Sequence, residues 1–174
     1  SQGLAGRSQA VGRAIAGRWQ GDRRPLAGLC NTCPRPREAD AERILEEHHR
    51  PYHRALTEGA RQPVKLGIDA HTMAADAPPV APDAGQQRPA ACLSNADGTC
   101  PTEWLEILAE GLTRLGEVRI NDPFRGGHIT RTHAAEMPWL QIELSRAATH
   151  AHDEKRAVVL SAISELSRRL DAEA

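Results

Sequence analysis

The chain has 174 residues, 40% of them hydrophobic and 26% charged, with a formal net charge of -1. That composition suits a globular domain able to bury a core without disulfides. It excludes the basic field that non-specific nucleic-acid binding needs, and no apolar run is long enough to cross a bilayer.

Residues 1–36 read as irregular. Ser1 to Gln20 carries Arg7, Arg13 and Arg18 but no apolar h-region, which argues against a signal peptide. Val11, Ile15 and Trp19 have the spacing of one helical face, weakened by Gly12 and Gly17. The cysteines are Cys30, Cys33, Cys92 and Cys100. They are too few for a disulfide scaffold, and reduced thiols in a cytoplasmic protein are the expectation. Zinc held on the cysteines is a rival, although Cys92 and Cys100 lack the short spacing of Cys30 and Cys33.

Arg37 to Gln62 reads as a helix with Ile44, Leu45, Tyr52 and Leu56 inward, and Pro51 should break or kink it. His48, His49 and His53 lie in this helix. His49 and His53 are four apart and can share a face, as a metal pair needs, but a solvated face with one packed histidine is the expectation. Pro63 to Met73 reads as a strand in which Val64, Leu66 and Ile68 alternate with other residues, leading into Asp69 and His71. Residues 74–91, rich in Pro, Ala, Gly and Gln, predict a long exposed loop.

Thr99-Cys100-Pro101-Thr102-Glu103 has helix-start chemistry, and Trp104, Leu105, Leu108, Leu112 and Leu115 form a helical stripe that Gly116 should end. Glu117 to Asn121 predicts a short strand, and Pro123 to Thr132 a Gly-containing loop. Trp139 to Leu144 predicts another strand, with Leu140, Ile142 and Leu144 on one side and Gln141 and Glu143 on the other. His150-Ala151-His152 marks the exposed start of a last helix, Asp153 to Leu170, with Val158, Val159, Ile163, Leu166 and Leu170 inward. Strands alternating with helices predict one α/β domain over 1–174, a mixed central sheet flanked by helices. Ligands bind such sheets beyond the carboxyl ends of strands, where Asp69, His71 and Asn121 are expected.

Three patterns carry chemistry. In Asp69-Ala70-His71 the imidazole suits Zn²⁺ and the carboxylate can orient it; a hydrogen-bonded structural histidine is the alternative. Glu143 sits among apolar strand residues, where a lone carboxylate is costly. It is either a general base facing a cleft or a solvent-facing residue, free or paired with Arg146. The loop from Asn121 to Arg131 combines amide donors, Gly126-Gly127 and a guanidinium fork suited to a carboxylate, or is an ordinary turn with an exposed arginine.

Ile120-Asn121-Asp122-Pro123-Phe124-Arg125-Gly126-Gly127-His128-Ile129-Thr130-Arg131 closely resembles the Asn-x-Pro-(Phe/Tyr)-x-Gly-Gly-Tyr-Ile-Thr-Arg stretch of N-formylglutamate amidohydrolases. In the expected order, Arg50-Pro51-Tyr52-His53-Arg54-Ala55-Leu56, Ile68-Asp69-Ala70-His71-Thr72-Met73, Asn95-Ala96-Asp97-Gly98-Thr99-Cys100 and Leu140-Gln141-Ile142-Glu143-Leu144-Ser145-Arg146 resemble further family segments.

The resemblance implies a zinc-exopeptidase-like fold and hydrolysis of a small N-acyl amino acid. The substrate it implies is N-formylglutamate, giving glutamate and formate, a late step of histidine degradation. It makes His71 a Zn²⁺ ligand and Glu143 the catalytic acid/base. Asn121 and Arg131 become candidates for the substrate's carboxylates, and Arg146 supports Glu143 or the substrate. Nothing before His71 matches the family's N-terminal ligand segment, so the other ligands are not identified and the fold is expected to be incomplete there. His128 stands where Tyr is commoner, and the usual Gly after Arg131 is missing. A degenerate, non-catalytic carboxylate-binding relative is the alternative.

Overall fold

The computed structural model describes residues 37–172. The stripe of Val11, Ile15 and Trp19 and the Cys30–Cys33 pair lie outside the described residues.

The first helical stretch has three parts: α1 (Glu38–Ile44), a π-helical turn (Leu45–His49) and α2 (Arg50–Gly59). Pro51 does not break the stretch. It lies inside the continuous helical stretch, directly after the π-helical turn in which Arg50 N–H bonds the Leu45 carbonyl, and that widened turn takes up the hydrogen bond Pro51 cannot make. The expected inward residues are a correction. Ile44, Leu45 and Tyr52 are exposed, because this stretch is anchored through its histidines rather than an apolar stripe.

The sheet has four strands in the order β1-β4-β2-β3, with β1 Gly67–Met73, β2 Ala91–Ser94, β3 Val118–Ile120 and β4 Trp139–Ser145. β1 is parallel to β4, β2 is parallel to β3, and β2 is antiparallel to β4. Two helices, α3 (Thr102–Leu112) and α5 (His152–Ala172), cover one face, and a short helix α4 (His128–His133) packs against β1 and β4.

The core follows from side-chain alternation. Leu93 on β2 and Leu140 and Ile142 on β4 meet Leu105, Leu108 and Leu112 of α3 and Val158, Ala162 and Leu166 of α5. Leu115 completes the apolar stripe in a 3₁₀ turn, and Gly116, at φ 123°, ends it in a conformation open to glycine. No helix among the described residues is long and apolar enough to cross a membrane.

Two expectations need correcting. Residues 74–91 are not a wholly exposed loop: Ala91 opens β2, Asp76 and Gln87 form an antiparallel bridge, Ala77 is buried, and Asp83 accepts two hydrogen bonds from Arg88 at 2.8 and 2.9 Å. Asp69 and His71 lie within β1, not beyond its end. The central pair β4 and β2 is antiparallel, so the carboxyl ends of β1 and β4 lie opposite those of β2 and β3. A site that uses all four strands must therefore cross the face of the sheet.

Candidate active site and histidine cluster

The face of the sheet turned away from α3 and α5 is polar. Register places Asp69, Gln141 and Ser94 in one row and His71, Glu143 and Cys92 in the next. His71 and Glu143 are direct cross-strand partners, so both lie on one face.

Glu143 is 8% exposed, which excludes the solvent-facing alternative. Its carboxylate accepts a hydrogen bond of 2.8 Å from Gln141 Nε2, and Arg146 is exposed. His71 Nε2 lies 2.7 Å from Asp69 Oδ1. A carboxylate there fixes the proton on Nε2 and leaves Nδ1 as the ring's lone-pair nitrogen. Gln141 Oε1 and Ser94 Oγ are buried without a hydrogen-bond partner. This row thus holds unused polar capacity in a place where such capacity is costly.

The loop after β3 lies on this face. Gly127 permits the approach: an added Cβ would lie 3.2 Å from Gln141 Oε1 and 3.5 Å from Asp69 Oδ2. Asn121, at φ 57°, is bound to the loop after β2 by two hydrogen bonds. Its Nδ2 donates to Asn95 Oδ1 at 3.0 Å, and its Oδ1 accepts from Asn95 N at 3.1 Å. Arg131 donates to the carbonyl of Arg125 at 2.9 Å and lies 3.4 Å from that of Gly126. Both residues therefore shape this loop, a bracing role that the sequence pattern did not reveal. Arg88 lies with its guanidinium 5.0 Å from the centre of the Phe124 ring.

The thiols described, Cys92 and Cys100, are free and buried. Burial pushes both upward, Cys100 to about 12. Neither belongs to a three-donor metal group among the described residues.

The structure also brings together histidines that the sequence reading set aside. The ligand nitrogens of His49, His53 and His128 all lie within 4.8 Å of one another. Behind them, His53 Nδ1 is 2.7 Å from Nε2 of the buried His133. His133 Nδ1 is 2.8 Å from Glu136 Oε2, and Thr57 donates to Glu136 Oε1 at 2.7 Å. Burial, then the neighbouring His49, His133 and His128, holds the His53 imidazole below its ordinary titration range. Their separation in the chain hides this convergence from any local pattern. Among the described residues, His71 joins no group of three metal donors.

Comparison with known proteins places this geometry in context. The model for the N-formylglutamate amidohydrolase family matches residues 8–149. The crystal structure of an N-formylglutamate amidohydrolase from Ralstonia eutropha JMP134 is similar, with a TM-score of 0.55 and 26% identity; the match covers 76% of this chain and 53% of that one. The chain thus spans about half the length of that relative. No curated protein sequence matches.

Proposed function

The chain belongs to the N-formylglutamate amidohydrolase family, and from that premise we propose that it takes part in metal-dependent hydrolysis of a small N-acyl amino acid, N-formylglutamate above all. The observation that carries the reading is the buried Glu143, held by Gln141 and placed across from His71 on the polar face. Nothing in an ordinary amphipathic strand requires a carboxylate there.

The donor set fits zinc in part. His71, backed by Asp69, offers one imidazole nitrogen of the kind zinc takes, whereas a catalytic zinc needs three protein ligands. When bound, the ion would polarise the acyl oxygen and acidify a water. Glu143 takes a proton from the attacking water and delivers it to the leaving amine nitrogen. Gln141 Nε2 fixes the carboxylate for that transfer. Arg131 and Arg146, both exposed, are assigned to the substrate's carboxylates. Asn121 has one amide hydrogen beyond the one given to Asn95.

A second reading, a carboxylate-binding relative without turnover, is favoured by one observation: His71 has no three-donor group among the described residues. Formate release from N-formylglutamate, measured with zinc present, separates the two. We expect release, and about 10²- to 10⁴-fold less of it in Glu143→Gln, with an unchanged circular dichroism spectrum. Binding without release supports the second reading. Undiminished turnover in Glu143→Gln removes the role given to that residue.

A further inference from the structure

We propose that His49, His53 and His128 form a binding site for a borderline divalent cation of the Zn²⁺, Co²⁺ or Ni²⁺ class, separate from His71 and independent of the role given to Glu143. Three imidazoles select such ions over Mg²⁺ or Ca²⁺, which prefer oxygen.

The first support is convergence. The three donor nitrogens lie within 4.8 Å of one another, while three nitrogens on one tetrahedral zinc stand roughly 3.3 Å apart. Small rotations about the histidine side-chain bonds close that difference. His49 and His53 lie one turn apart across the junction of the π-helical turn and α2, with ring centres 4.2 Å apart. His128 is the first residue of α4, with its ring 5.4 Å from that of His53.

The second support is the hydrogen-bonded row behind the cluster, which fixes where the protons lie. An ionised Glu136 can only accept, so the proton it shares with His133 belongs to His133 Nδ1. With Nδ1 carrying the ring's one proton, His133 accepts at Nε2 and His53 Nδ1 is the donor of that 2.7 Å contact. His53 Nε2 is left bare, with its lone pair available to a metal. Metal-bound histidines commonly give their other N–H to a carboxylate; here a second imidazole extends that connection. The burial of His133 and the Thr57 bond to Glu136 hold the row in place. His49 and His128 are exposed, which leaves an outer coordination position open to water or a ligand.

The test is Co²⁺ titration of the protein, followed by visible absorption and equilibrium dialysis, with Zn²⁺ competition. The variants are His49→Ala, His128→Ala, His71→Ala and Glu136→Gln. The two exposed histidines are chosen because their loss leaves the core untouched. We expect one equivalent of Co²⁺ that survives His71→Ala and is lost in both His49→Ala and His128→Ala. In Glu136→Gln the affinity should fall about 10- to 100-fold. Absence of any Co²⁺ binding in His71→Ala would overturn the proposal, as would an equivalent that survives His71→Ala yet is indifferent to His49 and His128 or shows thiolate charge-transfer bands. None of these outcomes depends on formate release, so failure here and failure of the hydrolytic reading are distinguishable.

Discussion

Gly67→Ala tests how the polar face is packed. Gly67 pairs with Trp139 across β1 and β4, and a Cβ at position 67 would lie 2.4 Å from two ring carbons of Trp139 and 2.6 Å from a third. Carbon atoms in contact sit about 3.5–4.0 Å apart, so strand or ring must retreat by roughly 1 Å. Neither has much freedom. Gly67 N donates to the Pro138 carbonyl at 2.9 Å, Trp139 N donates to the Thr99 carbonyl at 2.9 Å, and Trp139 is 4% exposed. Forcing one methyl into such a place costs about 1–3 kcal/mol. Urea unfolding followed by tryptophan fluorescence measures it, and the midpoint should fall. The cause can be isolated by combining the change with Trp139→Leu, which removes the obstructing ring. The double variant should then be less destabilised than the sum of the singles, by about 0.5 kcal/mol or more. Strict additivity, or a Gly67→Ala loss below about 0.5 kcal/mol, would refute the reasoning.

Two further outcomes follow from titrating groups. The hydrogen bond from Arg88 holds the Asp83 carboxyl below its ordinary value. A carboxyl lowered in the folded state contributes stability above the unfolded value near 3.8, and loses it as pH falls through the lowered value. The stability difference between wild type and Asp83→Asn should therefore be constant above about pH 5 and shrink below pH 4; a difference that grows on acidification would contradict the pairing. Burial raises Cys100 to about 12, so in the folded protein at pH 8 its thiol should resist alkylation and react only on unfolding, as peptide mass mapping would show. Rapid native modification of Cys100 would sink that expectation.

The legible parts of this fold are those with a sustained period. The stripe from Trp104 to Leu115 becomes α3 and the 3₁₀ turn that follows it, that from Val158 to Leu170 becomes α5, and the alternation of Leu140, Ile142 and Leu144 becomes β4. β2 escapes such reading because all four of its residues, Ala91 to Ser94, are buried, so no alternation marks it. The Asn121 bond to Asn95 and the meeting of His128 with His49 and His53 are also invisible in the sequence, since each joins segments that no local period connects. A carboxylate among apolar strand residues drew attention to Glu143, and motif resemblance implied its acid/base role, but only the fold shows that it is buried and held by Gln141. The inward role expected of Ile44, Leu45 and Tyr52 fails because apolar spacing in a helix does not guarantee a partner to cover it.

Arg88 is shared property. Asp83 grips its guanidinium within the segment after β1, and Phe124, in the segment after β3, supplies the aromatic surface beside it. Two loops far apart in the chain therefore draw on one cation for their order. Opening either one strips the other of a contact, so their amide protons should exchange with solvent as one cooperative unit rather than as two fraying ends. Any movement of Phe124 that admits a ligand to the polar face would thus be felt at Asp83.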